Sequence, residues 1–156
     1  MSKICCFTGH RNLPPSNSAE MNELKEALRL AMLDALNTGH THFIAGGATG
    51  FDMMASELVL LLKKDFPDLT LTIYVPHPKQ DASFSDTDKS RYRHMMEFAD
   101  KAYMLSDHYY VGCMRDRNQK MVDRSDLCIA YVRKSRSGAA QTMRMAEARG
   151  IPVIRI

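Results

Sequence analysis

The stretch that decides the fold is His42-Phe43-Ile44-Ala45-Gly46-Gly47-Ala48-Thr49-Gly50-Phe51-Asp52. A short apolar run passes straight into a loop of small residues, and a helical pattern begins at about Asp52. Met53, Met54, Leu58, Leu61 and Leu62 carry that pattern to about Lys64. A strand feeding a helix through a glycine-rich turn is one half of a βαβ unit. Small residues in the turn expose successive backbone N–H groups, and the helix start that follows favours an anion.

The same alternation repeats outward in both directions. Upstream, Ile4–Phe7 reads as a strand ending in Thr8-Gly9-His10-Arg11, and Leu13-Pro14-Pro15 interrupts any helix. Asn17 and Glu20 suit a capping box. Leu24, Ala27, Leu28, Ala31, Ala35 and Leu36 then follow at helical spacing up to Gly39. Downstream, strands are expected at Leu69–Val75, Ala102–Leu105, Leu127–Tyr131 and Pro152–Ile156. Helices are expected at Asp88–Phe98, Arg115–Asp123 and Ala139–Arg149. This order predicts an α/β fold, a Rossmann-like three-layer sandwich with a mostly parallel sheet. Ligands of such sheets bind beyond the carboxyl ends of the strands.

At 156 residues the chain is expected to form one domain over 1–156. The longest aliphatic run, Leu58 to Leu62, is far shorter than the ~20 residues of a membrane span. Met1-Ser2-Lys3-Ile4-Cys5-Cys6 has no signal-peptide pattern, so a cytoplasmic place is expected, with no membrane partner. Cys5, Cys6, Cys113 and Cys128 show no Cys-x-x-Cys spacing and no zinc pattern with the six histidines. They read as reduced, buried or semi-buried thiols, and neither a metal nor a cofactor is expected. Most of the 12 Met are expected in the core, and a surplus on the helices suits a helix-face contact, so a homo-oligomer, most simply a dimer, is expected.

The net charge of +3 divides unevenly. Residues 1–78 carry 6 basic and 8 acidic side chains, and residues 79–156 carry 15 and 10. A local surplus of this size suits a phosphate-bearing small molecule better than duplex nucleic acid.

Four loops after strands hold the candidate site residues. In the first, Thr8 offers a hydroxyl, Gly9 close backbone approach, His10 a donor and Arg11 a fork for phosphate or carboxylate. The second, Gly46, Gly47, Ala48 and Gly50, lacks the Gly-Lys-[Ser/Thr] of a Walker A loop and the spacing of the dinucleotide fingerprint. Asp52 in its first helical turn can cap, accept a hydroxyl, or act as a base. The third has Arg117 and Asn118. Arg115 lies two residues away from Arg117 and so on another face. The fourth is Ser137-Gly138-Ala139 with Thr142, again a helix start after a strand.

Taken together, several motifs resemble the YpsA-like branch of the SLOG superfamily. They are Phe7-Thr8-Gly9-His10-Arg11, Gly46-Gly47-Ala48-x-Gly50-x-Asp52, Pro76 to Gln80, Arg91-Tyr92, Arg117-Asn118-x-x-Met121-Val122-Asp123, and Gly138 with Thr142. The resemblance runs from about Cys6 to Ile154 and implies a single SLOG-like nucleotide-binding domain. Nucleoside monophosphates and ADP-ribose are example ligands, and the role is that of a sensor or regulator. The superfamily also includes the Lonely Guy phosphoribohydrolases and the DNA-processing protein DprA/Smf. They imply two alternatives: N-glycosidic hydrolysis of nucleoside monophosphates, with Asp52 and Arg117 as catalytic candidates, and single-stranded DNA binding. The glycine-rich Lonely Guy motif falls on Ser137 to Met145. There Ala139 and Gln141 replace glycines, and Arg144 and Met145 replace the two acids. The absence of Trp, and of aromatic residues spaced through the basic segments, disfavours nucleic acid.

Overall fold

A computed structural model describes residues 3–156. Eleven elements alternate strictly. They are β1 (Lys3–Gly9), α1 (Ala19–Asn37), β2 (His40–Ala45), α2 (Phe51–Leu62), β3 (Thr70–Val75), α3 (Asp86–Phe98), β4 (Lys101–Met104), α4 (Cys113–Asp123), β5 (Leu127–Tyr131), α5 (Gly138–Ala148) and β6 (Val153–Arg155). The six strands form one sheet in the order β4-β3-β2-β1-β5-β6. Every pairing is parallel, so the sheet is wholly rather than mostly parallel.

Alternation along the strands divides the interior into two cores. Cys5 and Phe7 of β1 face one side with Phe43, Leu71 and Ile73, where α1, α2 and α3 cover them through Leu28, Met32, Met53, Val59 and Met95. Cys6 faces the other with Ile44, Cys128 and Ala130, beneath Met121, Val122 and Ala146 of α4 and α5. This is the three-layer sandwich expected. Period-two alternation in strands buried on both faces explains why adjacent Cys5 and Cys6 enter different cores. Phe7 stacks on Phe43, with centroids 5.6 Å apart, and meets Phe51 edge-on at 6.4 Å. Leu28 is 1% exposed, so Leu28→Ala opens a cavity costing about 2–5 kcal/mol. All four cysteines are buried free thiols.

The ends of the elements hold one correction. The cap of α1 is Ser18, whose hydroxyl accepts from the Met21 amide at 3.1 Å, not the Asn17–Glu20 box. Pro15 sets this register: its carbonyl takes the Ser18 hydroxyl at 2.7 Å and the Ser18 amide at 3.0 Å. No described helix is long and apolar enough to cross a membrane.

The strand order positions the site. From β1 the chain crosses toward β2, and from β5 it crosses toward β6, on opposite sides. β1 and β5 are neighbours, paired Cys5↔Leu127 through Gly9↔Tyr131. The loops leaving their carboxyl ends therefore diverge and open a crevice between them.

Candidate functional site

A cleft of about 320 Å³ occupies that crevice. Of the residues singled out from the sequence, Thr8, Gly9, His10, Arg11, Ala48, Asp52, Arg117, Asn118, Ser137, Gly138 and Ala139 line it, joined by Phe7 and Met114. Gly46, Gly47, Gly50 and Thr142 do not line it.

Those four support it from behind. Gly50 has φ +80°, and a Cβ there would lie 2.2 Å from the Arg11 carbonyl oxygen, so the first two loops pack backbone to backbone. The Phe51 amide donates to the His10 carbonyl at 3.1 Å, closing the same contact. A Cβ on Gly46 would meet the Arg117 guanidinium carbon at 2.7 Å and Asp52 Oδ2 at 2.9 Å. Gly47, at φ +72°, packs against Gln80, Ile73 and Tyr92. Thr142 is buried and donates to the Gly138 carbonyl at 2.9 Å, bracing the first turn of α5.

The anion-attracting part of the cleft is the start of α5. Ser137 caps it, accepting from the Ala140 amide at 3.1 Å. The amides of Gly138 and Ala139, the first two of the helix, have no acceptor among the described residues. Helix starts leave such donors unspent, with a partial positive charge. Arg11 is exposed, and its guanidinium makes no hydrogen bond or ion pair among the described residues. The Thr8 hydroxyl likewise has no partner, although Thr8 is only 7% exposed.

His10 plays a different part from the donor expected of it. Its Nε2 accepts from the backbone N–H of Arg133 at 2.7 Å and of Lys134 at 3.3 Å. The accepting nitrogen is therefore unprotonated and the ring neutral. Partial burial, with the Lys134 and Arg133 charges, pulls its pKa below the ordinary histidine value. The ring rests edge-on against Tyr131, centroids 5.4 Å apart, and the Arg133 guanidinium lies 4.8 Å from that ring's centre.

Arg117 and Asp52 form the floor. Arg117 is 4% exposed, and Arg115 faces solvent, as their spacing implies. Arg117 Nη1 donates to the Gly46 carbonyl, to Gln80 Oε1 at 3.2 Å and to the Tyr74 carbonyl at 3.4 Å. Its Nε donates to Asn118 Oδ1 at 2.8 Å, and Nη2 touches only Met114 Sδ at 4.0 Å. Most of this cation is therefore spent on the protein, holding the carboxyl ends of β2 and β3. The bond to Asn118 Oδ1 leaves the Asn118 amide N–H groups for the cleft. Asp52 is 8% exposed. Burial raises its carboxyl pKa, opposed by the Arg117 charge, by the Ala48 and Gly46 amides and by Arg11. Burial likewise lowers the pKa of Arg117, opposed mainly by Asp52. Desolvation dominates for both.

One further signal lies in the spacing within α4. Cys113, Arg117 and Met121 are spaced by four and all buried, so Arg117 sits within an apolar stripe. Met114, one residue into that helix, had no such pattern to mark it.

Comparison with known proteins bears on the family and the fold. Residues 5–149 match the YspA SLOG family. Over 141 residues the chain is 32% identical to the SPbeta prophage-derived protein YoqJ of Bacillus subtilis, covering 81% of this chain and 82% of that protein. It is 26% identical over 135 residues to a UPF0398 protein of Staphylococcus epidermidis, covering 83% of this chain and 72% of the other. Among solved structures, DNA processing protein A from Helicobacter pylori, described for its single-stranded DNA binding mode, superposes with a TM-score of 0.64 at 18% identity. The Streptococcus pneumoniae DprA structure gives 0.68 at 14% identity. Both matches cover 97% of this chain, which spans 63% and 49% of those longer chains. At such identities the likeness is one of fold.

Proposed function

Since the chain belongs to the YspA SLOG family, we propose that its switch-point cleft binds a nucleotide or nucleotide derivative, as a sensor or regulator. One observation carries this reading. The unspent amides of Gly138 and Ala139 and the unpaired Arg11 face a single cleft beyond the carboxyl ends of β1 and β5. Phosphate oxygens suit that donor set. The Thr8 hydroxyl and the Asn118 amide add neutral groups for ribose or base. Thermal unfolding with a panel of nucleoside mono-, di- and triphosphates and ADP-ribose tests it. A ligand at 100 times its Kd adds about 2.7 kcal/mol of stability. No shift from any of them at millimolar concentration ends the reading.

A second reading is supported by Asp52. A buried carboxyl with a raised pKa, beside a guanidinium in the same cleft, suits general acid–base work or the steadying of oxocarbenium-like charge. The reaction would be N-glycosidic hydrolysis of a nucleoside monophosphate, with Asp52 and Arg117 at the reacting centre. Release of free base from the monophosphate, abolished by Asp52→Asn, is the expected result. Release that survives Asp52→Asn removes Asp52 from the mechanism.

The DprA likeness supports single-stranded DNA as a third occupant, through the exposed Arg133, Lys134 and Arg136. A salt-sensitive mobility shift with a short oligonucleotide is its test. With the nucleotide reading go a cytoplasmic location, in keeping with four unpaired thiols, and a homodimer. Sedimentation checks the homodimer.

A further inference from the structure

Beside the cleft lies a second cavity of about 240 Å³. The two share Arg11, Ala48 and Met114, so they are lobes of one groove divided at Arg11. Their chemistry differs. The first lobe is walled by helix-start amides and polar side chains. The second is walled by His77, Phe84 and Tyr109, with Gln80 behind them. His77 is buried and meets Tyr109 edge-on, centroids 5.3 Å apart, whereas Tyr109 is 61% exposed. Tyr109 therefore stands as an open aromatic plate supported on one edge.

Gln80 closes the back of this lobe. It is 7% exposed, and its Oε1 accepts from Arg117. That bond fixes the amide, because the reversed orientation would set NH₂ against a guanidinium. Its Nε2 is then the one buried side-chain nitrogen or oxygen among the described residues that has no partner. That nitrogen is sealed from the lobe, beside Gly47 and the Tyr92 ring, so Gln80 fixes the back wall and the aromatic faces of Phe84 and Tyr109 are what a planar ring would meet.

We propose that the second lobe is a subsite for a planar ring, so that the ligand is a nucleotide derivative with a second ring system beyond its phosphates. Its phosphates would cross Arg11, the one unpaired cation both lobes share. One ring system would lie in the first lobe, the other against Tyr109 and Met114. A nucleoside monophosphate fills only the first lobe. The proposal rests on the nucleotide reading of that lobe.

Calorimetric titration of the full chain with AMP, NAD and diadenosine diphosphate tests it, in wild type and in Tyr109→Ala, whose exposed ring can be removed without opening the core. Removing one stacking partner weakens ring binding by about tenfold or more. The two-ring ligands should therefore bind at least about tenfold tighter than AMP to wild type, and Tyr109→Ala should abolish that advantage without changing AMP. If AMP binds and the two-ring ligands gain nothing, the second subsite is refuted and the first lobe stands. The same follows if Tyr109→Ala weakens all three equally. Failure of all three to bind refutes the nucleotide reading and this proposal together. Binding of an oligodeoxythymidine that depends on Tyr109, with no binding of the three, assigns the lobe to single-stranded DNA instead.

Discussion

His10 Nε2 accepts the backbone N–H of Arg133 at 2.7 Å, and this bond ties the loop after β1 to the loop after β5 across the mouth of the cleft. The bond needs a neutral ring. Since the folded pKa lies below the unfolded 6.5, the unfolded chain takes up the proton first. The stabilisation is complete above pH 6.5 and is lost as pH falls through the folded value. His10→Ala should cost about 1 kcal/mol at pH 8. The gap between wild type and variant should narrow steadily toward pH 5. Denaturant melts across that range decide it, and a constant gap would show that the ring's charge state is irrelevant.

Glycines around the site should separate into two groups. Gly50→Ala sets a Cβ 2.2 Å from the Arg11 carbonyl oxygen at a φ of +80°. Backbone cannot yield as a side-chain tip can, so a loss of about 3 kcal/mol or more is expected. Gly138→Ala meets nothing within 4 Å and has no left-handed φ. Its stability should stay within about 0.5 kcal/mol of wild type. A fall in nucleotide affinity in Gly138→Ala is then an effect on the cleft itself. Thermal melts and titrations on both variants separate the two groups.

Two arginines lining one cleft should behave oppositely. Arg11 has no partner among the described residues, so Arg11→Ala should leave the melting temperature unchanged and weaken a phosphorylated ligand by about tenfold or more. Arg117 is buried and spent on Gly46, Gln80 and Asn118. Arg117→Leu strands those acceptors and should cost about 3 kcal/mol or more. Stability loss in Arg11→Ala would mean that its charge is used within the fold.

The layered α/β fold was legible because the chain alternates two hydrophobic periods without a break, and most element boundaries shift by only one or two residues. The cap of α1 was misplaced by one residue because Asn17 and Ser18 both suit the position, and the carbonyl of Pro15 decides between them. The loops bearing Thr8, Arg11, Asp52 and Gly138 announced themselves by small and polar residues directly after strands. The division of labour within them did not. Sequence spacing does not reveal that β1 and β5 are neighbours, and that adjacency turns His10 into a latch and sends Arg117 beneath Gly46. The second lobe was invisible for the same reason, since His77, Phe84 and Tyr109 come from irregular segments that meet only in three dimensions.

Asp52 gives a pH dependence opposite in sign to that of His10. Its folded pKa lies above the unfolded 3.8, chiefly because burial penalises the carboxylate more than Arg117 and nearby amides favour it. The folded chain therefore holds the proton longer. Its stabilising contribution is present below pH 3.8 and is lost as pH rises through the folded value. Asp52→Asn removes that ionisation while keeping a similar shape. The melting temperature of the variant, relative to wild type, should therefore climb as pH rises through that window and then level off. Arg117 keeps its bonds to Gly46 and Gln80 in the variant, so its contribution is constant across the series. A relative melting temperature that falls over the same range would show that Asp52 is held as a stabilising carboxylate by Arg117. Its role at the reacting centre would then be that of a fixed negative charge rather than a proton carrier.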